Sequence, residues 1–483
     1  MSRTHVRKNL TKIFIYTLTS ILLISPAFNS SYLALAEDVN ETIEQIERFL
    51  KHKPNSLEGN LRLAAAYANK YSDTKEIRYL DLAIEKGRKA VQIESEFLPA
   101  NMLLYMLLSQ KAIQQRDVTL FSELNEQYQA ISQSSLKPKQ LKNIPHPSFL
   151  AALVYYRISA DKTGTPEEVK YENQAINELR KAIRIHPDVS IYHLLLGRIY
   201  YYQNKNDLAL LEVKEAIRLE PRDPDNYLLL GDIHQDNIHR AENCWDDRAI
   251  TQGIQAYKEA TILAPNHPYA HLGLSNLYIH RGAYNLAIQE SKEAVNLYDT
   301  HYTRARLGST LLHVGDYEQG IKELNEALHK EPSSPLARSS LALAYFLQNK
   351  FERAIPEYQK YIEQEDSPNP YAILDYHLAL KHIGKDEEAE KVLKKYAKIF
   401  AEKPWRLHLL NFHLGKLSKS ELISKTKHKC HKSEAFFYIA HQYLLVGDKG
   451  KAREYFQKTL DMKVFGYSEY IAARYQIKLL NFH

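Results

Sequence analysis

Histidine, cysteine and tyrosine offer the most chemistry in this 483-residue sequence. His234, His239 and Cys244 crowd one stretch, and His428, Cys430 and His431 another. Imidazole and thiolate are the usual zinc donors, but a closed zinc site takes four of them, and no CxxC or CxxCH spacing occurs. The expectation is therefore no metal and no cofactor, with a metal- or haem-handling role for these clusters as the alternative. Cys244 and Cys430 are the only cysteines. They lie several helices apart, at roughly 8–10 Å per packed helix, so they read as two unbridged thiols. No HExxH helix, phosphate-cradling Walker loop, GxSxG elbow or GxGxxG turn is present, and no enzymatic activity is expected.

A second histidine pattern is periodic. His280, His313 and His382 each stand two residues before a glycine (Gly282, Gly315, Gly384). An imidazolium in the last turn of a helix complements the negative end of the helix dipole. The other reading is that these rings line a groove.

The elements that position these residues are helices in repeat. In the stretch from Ser190 to Pro221 (SIYHLLLGRIYYYQNKNDLALLEVKEAIRLEP), apolar residues recur at helical spacing through two segments. Small residues (Gly197, Ala209, Ala216) fall where two packed helices must approach closely. Asn204 suits a left-handed turn between them, and Pro221 ends the second helix. Thirty-four residues after Gly197, Gly231 repeats the first glycine.

This pattern resembles the tetratricopeptide repeat (TPR) family, over nearly all of Asp38 to His483. The resemblance implies an all-α fold, a right-handed superhelical solenoid of about nine to ten helix pairs. It also implies a concave groove, whose positions fall here on Arg198, Tyr201, Tyr202, Asp232, Gln235, Tyr269, Asn276, His280, Tyr302, His313, Tyr371 and Lys381. Tyr269, Tyr302 and Tyr371 occupy the equivalent place in three repeats, and tyrosine combines contact area with a hydrogen bond at low entropic cost. The ending YFQKTLDMKVFGYSEYIAARYQIKLL is similar to the C-terminus of the NlpI group of bacterial TPR adaptor lipoproteins, which resemble binding platforms for cell-wall enzymes. The lipid-attachment cysteine of that group has no counterpart in the first 36 residues.

Those 36 residues read as a secretory signal: Arg3, Arg7, Lys8 and Lys12, an apolar run over residues 13–24, then Ala34-Leu35-Ala36 as cleavage site. The run is short for a membrane span, which needs about 20 apolar residues; left uncleaved, it would be an anchor. Without the signal the formal charge of +6 drops to +2, so nucleic acid is not an expected partner. The charge is unevenly spread, with 14 Lys/Arg against 6 Asp/Glu from Lys381 to Lys432. That region is the candidate for contact with a membrane surface.

The organisation read from the sequence is a signal over 1–36, irregular repeats over 37–147, a regular array over 148–403, and a degenerate unit, last repeat and capping helix over 404–483. Ser132–Pro147 reads as a loop or weak joint, and residues 70–79, 160–171 and 235–248 as insertions that supply edge contacts. The expected function is an exported, non-enzymatic scaffold in the periplasm or outside the cell, binding a protein or peptide segment as part of a cell-envelope complex. A membrane-tethered component of a polysaccharide-secretion or cytochrome-maturation assembly is a further alternative.

Overall fold

The computed structural model describes residues 39–481 other than 135, 137, 142, 239–245, 366–367 and 402. The signal sequence, His239 and Cys244 thus lie outside the described residues. These are all-helical, with helices packed in adjacent antiparallel pairs and no strand among them. They form two compact units that divide between Glu220 and Pro221. The sequence boundaries at 147 and 403 mark changes in repeat regularity, whereas the packing boundary lies at 220.

In the first unit, α1 (Val39–His52) precedes the pair α2 (Leu57–Thr74) and α3 (Ile77–Ile93). Then come α4 (Leu98–Gln115) with α5 (Phe121–Ser132), a short α6 (Pro138–Leu141), α7 (Pro147–Asp161) with α8 (Pro166–Ile185), and α9 (Ser190–Tyr202) with α10 (Asn206–Leu219). Two expected insertions are not loops. The extra residues lengthen the helices, to 18 and 17 residues in α2 and α3 and to 20 in α8, leaving short turns at 75–76 and 162–165. Residues 132–147 are no weak joint either. Ile144, His146 and Pro147 are buried, Tyr105 donates to the Pro145 carbonyl, and the His146 amide donates to Tyr192 Oη at 3.0 Å. Prolines that cannot continue a helix here anchor the chain between two buried tyrosines.

The second unit holds α11 (Pro224–Asn237) with α12 (Asp247–Leu263), α13 (Pro268–Arg281) with α14 (Tyr284–Leu297), α15 (His301–Val314) with α16 (Tyr317–Lys330), and α17 (Pro335–Leu347) with α18 (Phe351–Gln364). After α19 (Pro370–His382) and α20 (Asp386–Lys395) come short pieces, α21 (Ala397–Ala401), α22 (Pro404–His413) and α23 (Lys419–Ser424). The chain ends with α24 (Lys429–Leu445), α25 (Lys449–Asp461) and α26 (Ser468–Asn481).

The small residues act as the spacing implied. A β-carbon on Gly308 would lie 2.7 Å from Leu324 Cγ and 3.0 Å from the Gly320 carbonyl, so α15 and α16 touch backbone to backbone. At the turns, Asn204 and Asn349 take left-handed φ values of 60° and 55°, and Gly282 and Gly315 take 75° and 99°.

Candidate protein-binding face and the C-terminal return

The last helix does more than cap the final pair. Within the second unit α26 packs on α24 and α25 and also returns to α15 and α17. The segment from Phe465 to Gln476 lies along the turns of three successive pairs. Phe465 lies against Gly282, where a β-carbon would sit 3.6 Å from its ring. Arg474 donates to the His313 carbonyl at 2.6 Å, with its guanidinium 5.3 Å from the centre of the Tyr284 ring. Tyr475 meets Tyr317 edge to face at 5.0 Å. Gln476 and Asn349 exchange amide hydrogen bonds of 2.6 and 3.4 Å. Ile471, Ala472 and Ala473 are buried in the same core as Leu341, Leu374 and Tyr438.

This return accounts for the periodic histidines. The His280 ring abuts Gly466, where no β-carbon would fit. His313 sits beneath Gly466 and Arg474, with Nδ1 2.9 Å from the Ser309 carbonyl. His382 Nε2 lies 3.0 Å from His441 Nδ1, and its ring stacks on Phe351 at 4.5 Å. Burial holds His313 below its ordinary pKa and pushes His382 down to about 4. Neutral rings cannot complement a helix dipole. His313 serves as packing surface for the returning C-terminus and His382 for Phe351 and His441 of α24, and neither the dipole reading nor an open-groove reading describes them.

Beneath α26 three carboxylates are buried together. Glu434 accepts from Trp405 Nε1 at 2.7 Å and from Tyr371 Oη at 3.1 Å, and Tyr358 Oη is 3.4 Å from Asp375. Glu469, at the start of α26, accepts from Ser468 Oγ at 3.1 Å. Burial, and then the neighbouring Glu469, push Glu434 up to about 8. Asp375 is raised for the same two reasons, and Glu469 by burial. Burial thus favours the protonated form of each, and Glu434 holds its proton at neutral pH.

The expected groove residues separate into groups. In the first unit Tyr202 is buried, stacked on Tyr156 at 6.5 Å and 5.4 Å from Tyr201, while Arg198 and Tyr201 are half-buried. Asp232 accepts from Tyr257 Oη at 2.6 Å, bracing α11 on α12, and the Gln235 carbonyl accepts from the Ile238 amide. Lys381 pairs with Asp386. His280, His313 and Tyr371 face the C-terminal region, so the three equivalent tyrosines do not share one surface. Tyr269 and Tyr302 do: their rings are 6.3 Å apart, on neighbouring first helices, with half-buried Asn276 a turn or two along α13. The C-terminal return is nearly silent in the local sequence pattern. Its one signal is that α26 carries apolar residues on more sides than a solvent-facing cap requires.

Cys430 is disulfide-bonded, and the chain has one other cysteine, Cys244. The reading of two unbridged thiols is thereby corrected. Separation along the helices does not set the distance here, because α24 comes back to the second unit's beginning. There Cys430 is buried in a cluster with Ile238, Ala249 and Ile250. Among the described residues no group of three or more His, Cys, Asp or Glu could hold a metal ion. His428 and His431 instead meet at 3.7 Å with their rings tilted by 41°, and His431 stacks on Trp405 at 4.2 Å.

From Ser190 to Pro224, and again from Pro268 through His301 and Pro335 to Pro370, first helices start 33–35 residues apart, and these antiparallel pairs, with close contacts at fixed small positions and left-handed turns between, are tetratricopeptide repeats. The tetratricopeptide repeat model matches residues 173–227, 194–237 and 306–370. The lipoprotein NlpI homolog of Haemophilus influenzae is 25% identical over 220 residues, which are 44% of this chain and 67% of that protein. Two solved structures are also similar. A tetratricopeptide repeat protein from Parabacteroides merdae is 17% identical, covering 55% of this chain and 99% of its own, with a TM-score of 0.42. The APC/C hetero-tetramer Cut9-Hcn1 is 14% identical over 95% of this chain and 99% of its own, with a TM-score of 0.41.

Proposed function

We propose that this protein is an exported, non-enzymatic scaffold of a cell-envelope complex that binds an extended protein segment beside Tyr269 and Tyr302. The observation that carries the reading is that aromatic pair. The two rings sit at equivalent places on successive first helices, 6.3 Å apart, at the helix ends opposite the turns that the chain's own C-terminus covers. Burial, with Tyr302 beside it, pushes Tyr269 up to about 12, so its hydroxyl stays a neutral donor at any physiological pH. Asn276 supplies an amide on the same helix, and Arg198 and Tyr201 offer a separate polar-aromatic patch in the first unit. Two findings support an envelope location. The H. influenzae relative is a lipoprotein. Disulfides such as that at Cys430 persist in oxidising compartments outside the cytosol.

The test is a cross-linked pull-down of the tagged full chain from its source envelope, beside a Tyr269→Ala/Tyr302→Ala variant of unchanged helical circular dichroism. A partner caught by the parent and lost by the variant is the expected result. A partner held equally by both would sink this site.

A further inference from the structure

From Lys403 to Lys432 the sequence holds eight lysines and arginines and a single acid, Glu421. Glu421 is already engaged, accepting from the Ser418 amide at 2.8 Å to cap α23. The next acid, Glu434, is buried beneath Trp405 and Tyr371. The structure gathers the cations onto α22, α23 and the first turn of α24, around a floor of Trp405, His431 and His428 in successive ring contact. Lys403, Lys425, Lys427 and Lys432 are exposed, and none of the four forms an ion pair among the described residues. Around α20, by contrast, Lys394 pairs with Glu390, and Lys385 at the N-cap with Glu388. Crowding is also visible in the histidines. His408 is lowered by burial and then by Lys425 and Lys427, so all three share a small surface.

We propose that this ledge is a docking surface for anionic lipid headgroups. Seven of its eight cations are lysines, compact charges on flexible stems that match a diffuse, mobile layer of anions. Paired recognition of fixed carboxylates favours the planar arginine fork instead. Leu407 is exposed on α22 between Arg406 and His408, an apolar tip set among charges, as at a membrane interface. No helix among the described residues is long and apolar enough to cross a membrane, so the contact made by the ledge is peripheral. The proposal rests on the envelope reading for access to a membrane, and is independent of the tyrosine site.

The experiment is vesicle flotation of the full chain with phosphatidylcholine alone or with about a third phosphatidylglycerol, over rising salt. The parent is expected to float only with the anionic vesicles and to be released as salt rises. Lys425→Glu/Lys427→Glu/Lys432→Glu is expected to bind them roughly a hundredfold more weakly. The glutamine triple variant should fall between, and both should keep the parent's circular dichroism because these side chains are exposed. Any affinity of the N-terminal apolar run is common to parent and variants, so the difference between them reads the ledge alone. Equal flotation by parent and charge-reversed chain would overturn the proposal. So would equal affinity of the parent for soluble polyglutamate, which would assign an acidic protein instead. Tyr269→Ala/Tyr302→Ala should float like the parent, so failure of the scaffold reading and failure of this one remain distinct.

Discussion

The regular pairs and the C-terminal end handle buried ionisable groups in opposite ways. In four pairs a cation on the first helix meets a glutamate nineteen residues later on the second. His193 meets Glu212 at 2.8 Å, His271 meets Glu290 at 2.7 Å, Arg304 meets Glu323 at 2.7 Å and Arg338 meets Glu357 at 2.8 Å. Three of the cations also bond a proline carbonyl six residues back. An imidazole facing a carboxylate and a carbonyl can donate from both nitrogens only when protonated, so the pair of acceptors favours its charged form against the cost of burial. At the C-terminal end Asp375, Glu434 and Glu469 lie near one another, and His377, His382, His413 and His441 likewise, and burial outweighs the opposite charges within reach, Arg406 for Glu434 and Glu390 and Asp386 for His377. Burial therefore drives each group to its neutral form. Charges hold the array together, and the covering of the last repeats depends on their absence. Both arrangements respond to pH, the histidine braces of the array on the alkaline side and the neutral clusters on both sides.

The largest effect should come on acidification. Burial pushes His377 and His382 down to about 4 and holds His413 and His441 lower still. Their neutral forms stabilise the fold fully above the unfolded value near 6.5, and that stability is lost as pH falls towards 4, by about 3 kcal/mol for each of the first two. Hydrogen exchange at pH 4.5 should open α24–α26 before α13–α16. Simultaneous opening would remove the distinction between the regions. On the alkaline side Glu434 has the converse sign. Its raised pKa favours the fold below the unfolded value, and that contribution is lost as pH rises through about 8. Glu434→Gln retains an acceptor for Trp405 and Tyr371, so it should raise the melting temperature more at pH 9 than at pH 6. A smaller effect tests the array itself. Gly308→Val pushes α15 off α16 and should cost roughly 1–3 kcal/mol at every pH, read by chemical denaturation.

The array was legible because its contacts are local. Gly197, Ala209 and Gly231 mark close approaches within or between adjacent helices, and Asn204 marks a left-handed turn in a four-residue window. Insertion lengths were visible, but their form was not, since ten extra residues lengthen two helices as readily as they make a loop. The C-terminal return was hidden because its contacts join residues 161 and 127 positions apart, Arg474 to His313 and Gln476 to Asn349. The regular spacing of His280 and His313 was noticed, yet nothing in one helix says what packs on its last turn. The disulfide at Cys430 was missed for the same reason: distance along a solenoid is not distance through it. Among the candidate site residues, Tyr269 and Tyr302 were legible as neighbours because their equivalence is set by the repeat. Tyr371, equally equivalent, was claimed by Glu434 of a distant helix.

The finest comparison lies inside the array, between histidine and arginine in the same brace. Glu290 raises the pKa of His271 against the cost of burial, and the Pro265 carbonyl adds to it. A base raised in the folded state contributes fully below its unfolded pKa, and that contribution disappears as pH rises through the folded value. Arg304 and Arg338 stay charged throughout. The site already accommodates a guanidinium in two neighbouring pairs, so His271→Arg should fold without repacking. At pH 5 parent and variant should melt alike. At pH 9 the variant should be the more stable by about 1 kcal/mol, the worth of one charged hydrogen bond that the parent has lost. The reciprocal Arg304→His should acquire the alkaline sensitivity that His271→Arg removes. A His271→Arg chain less stable at both pH values would mean that these positions are not interchangeable, and that the repeated brace is four separate contacts rather than one device.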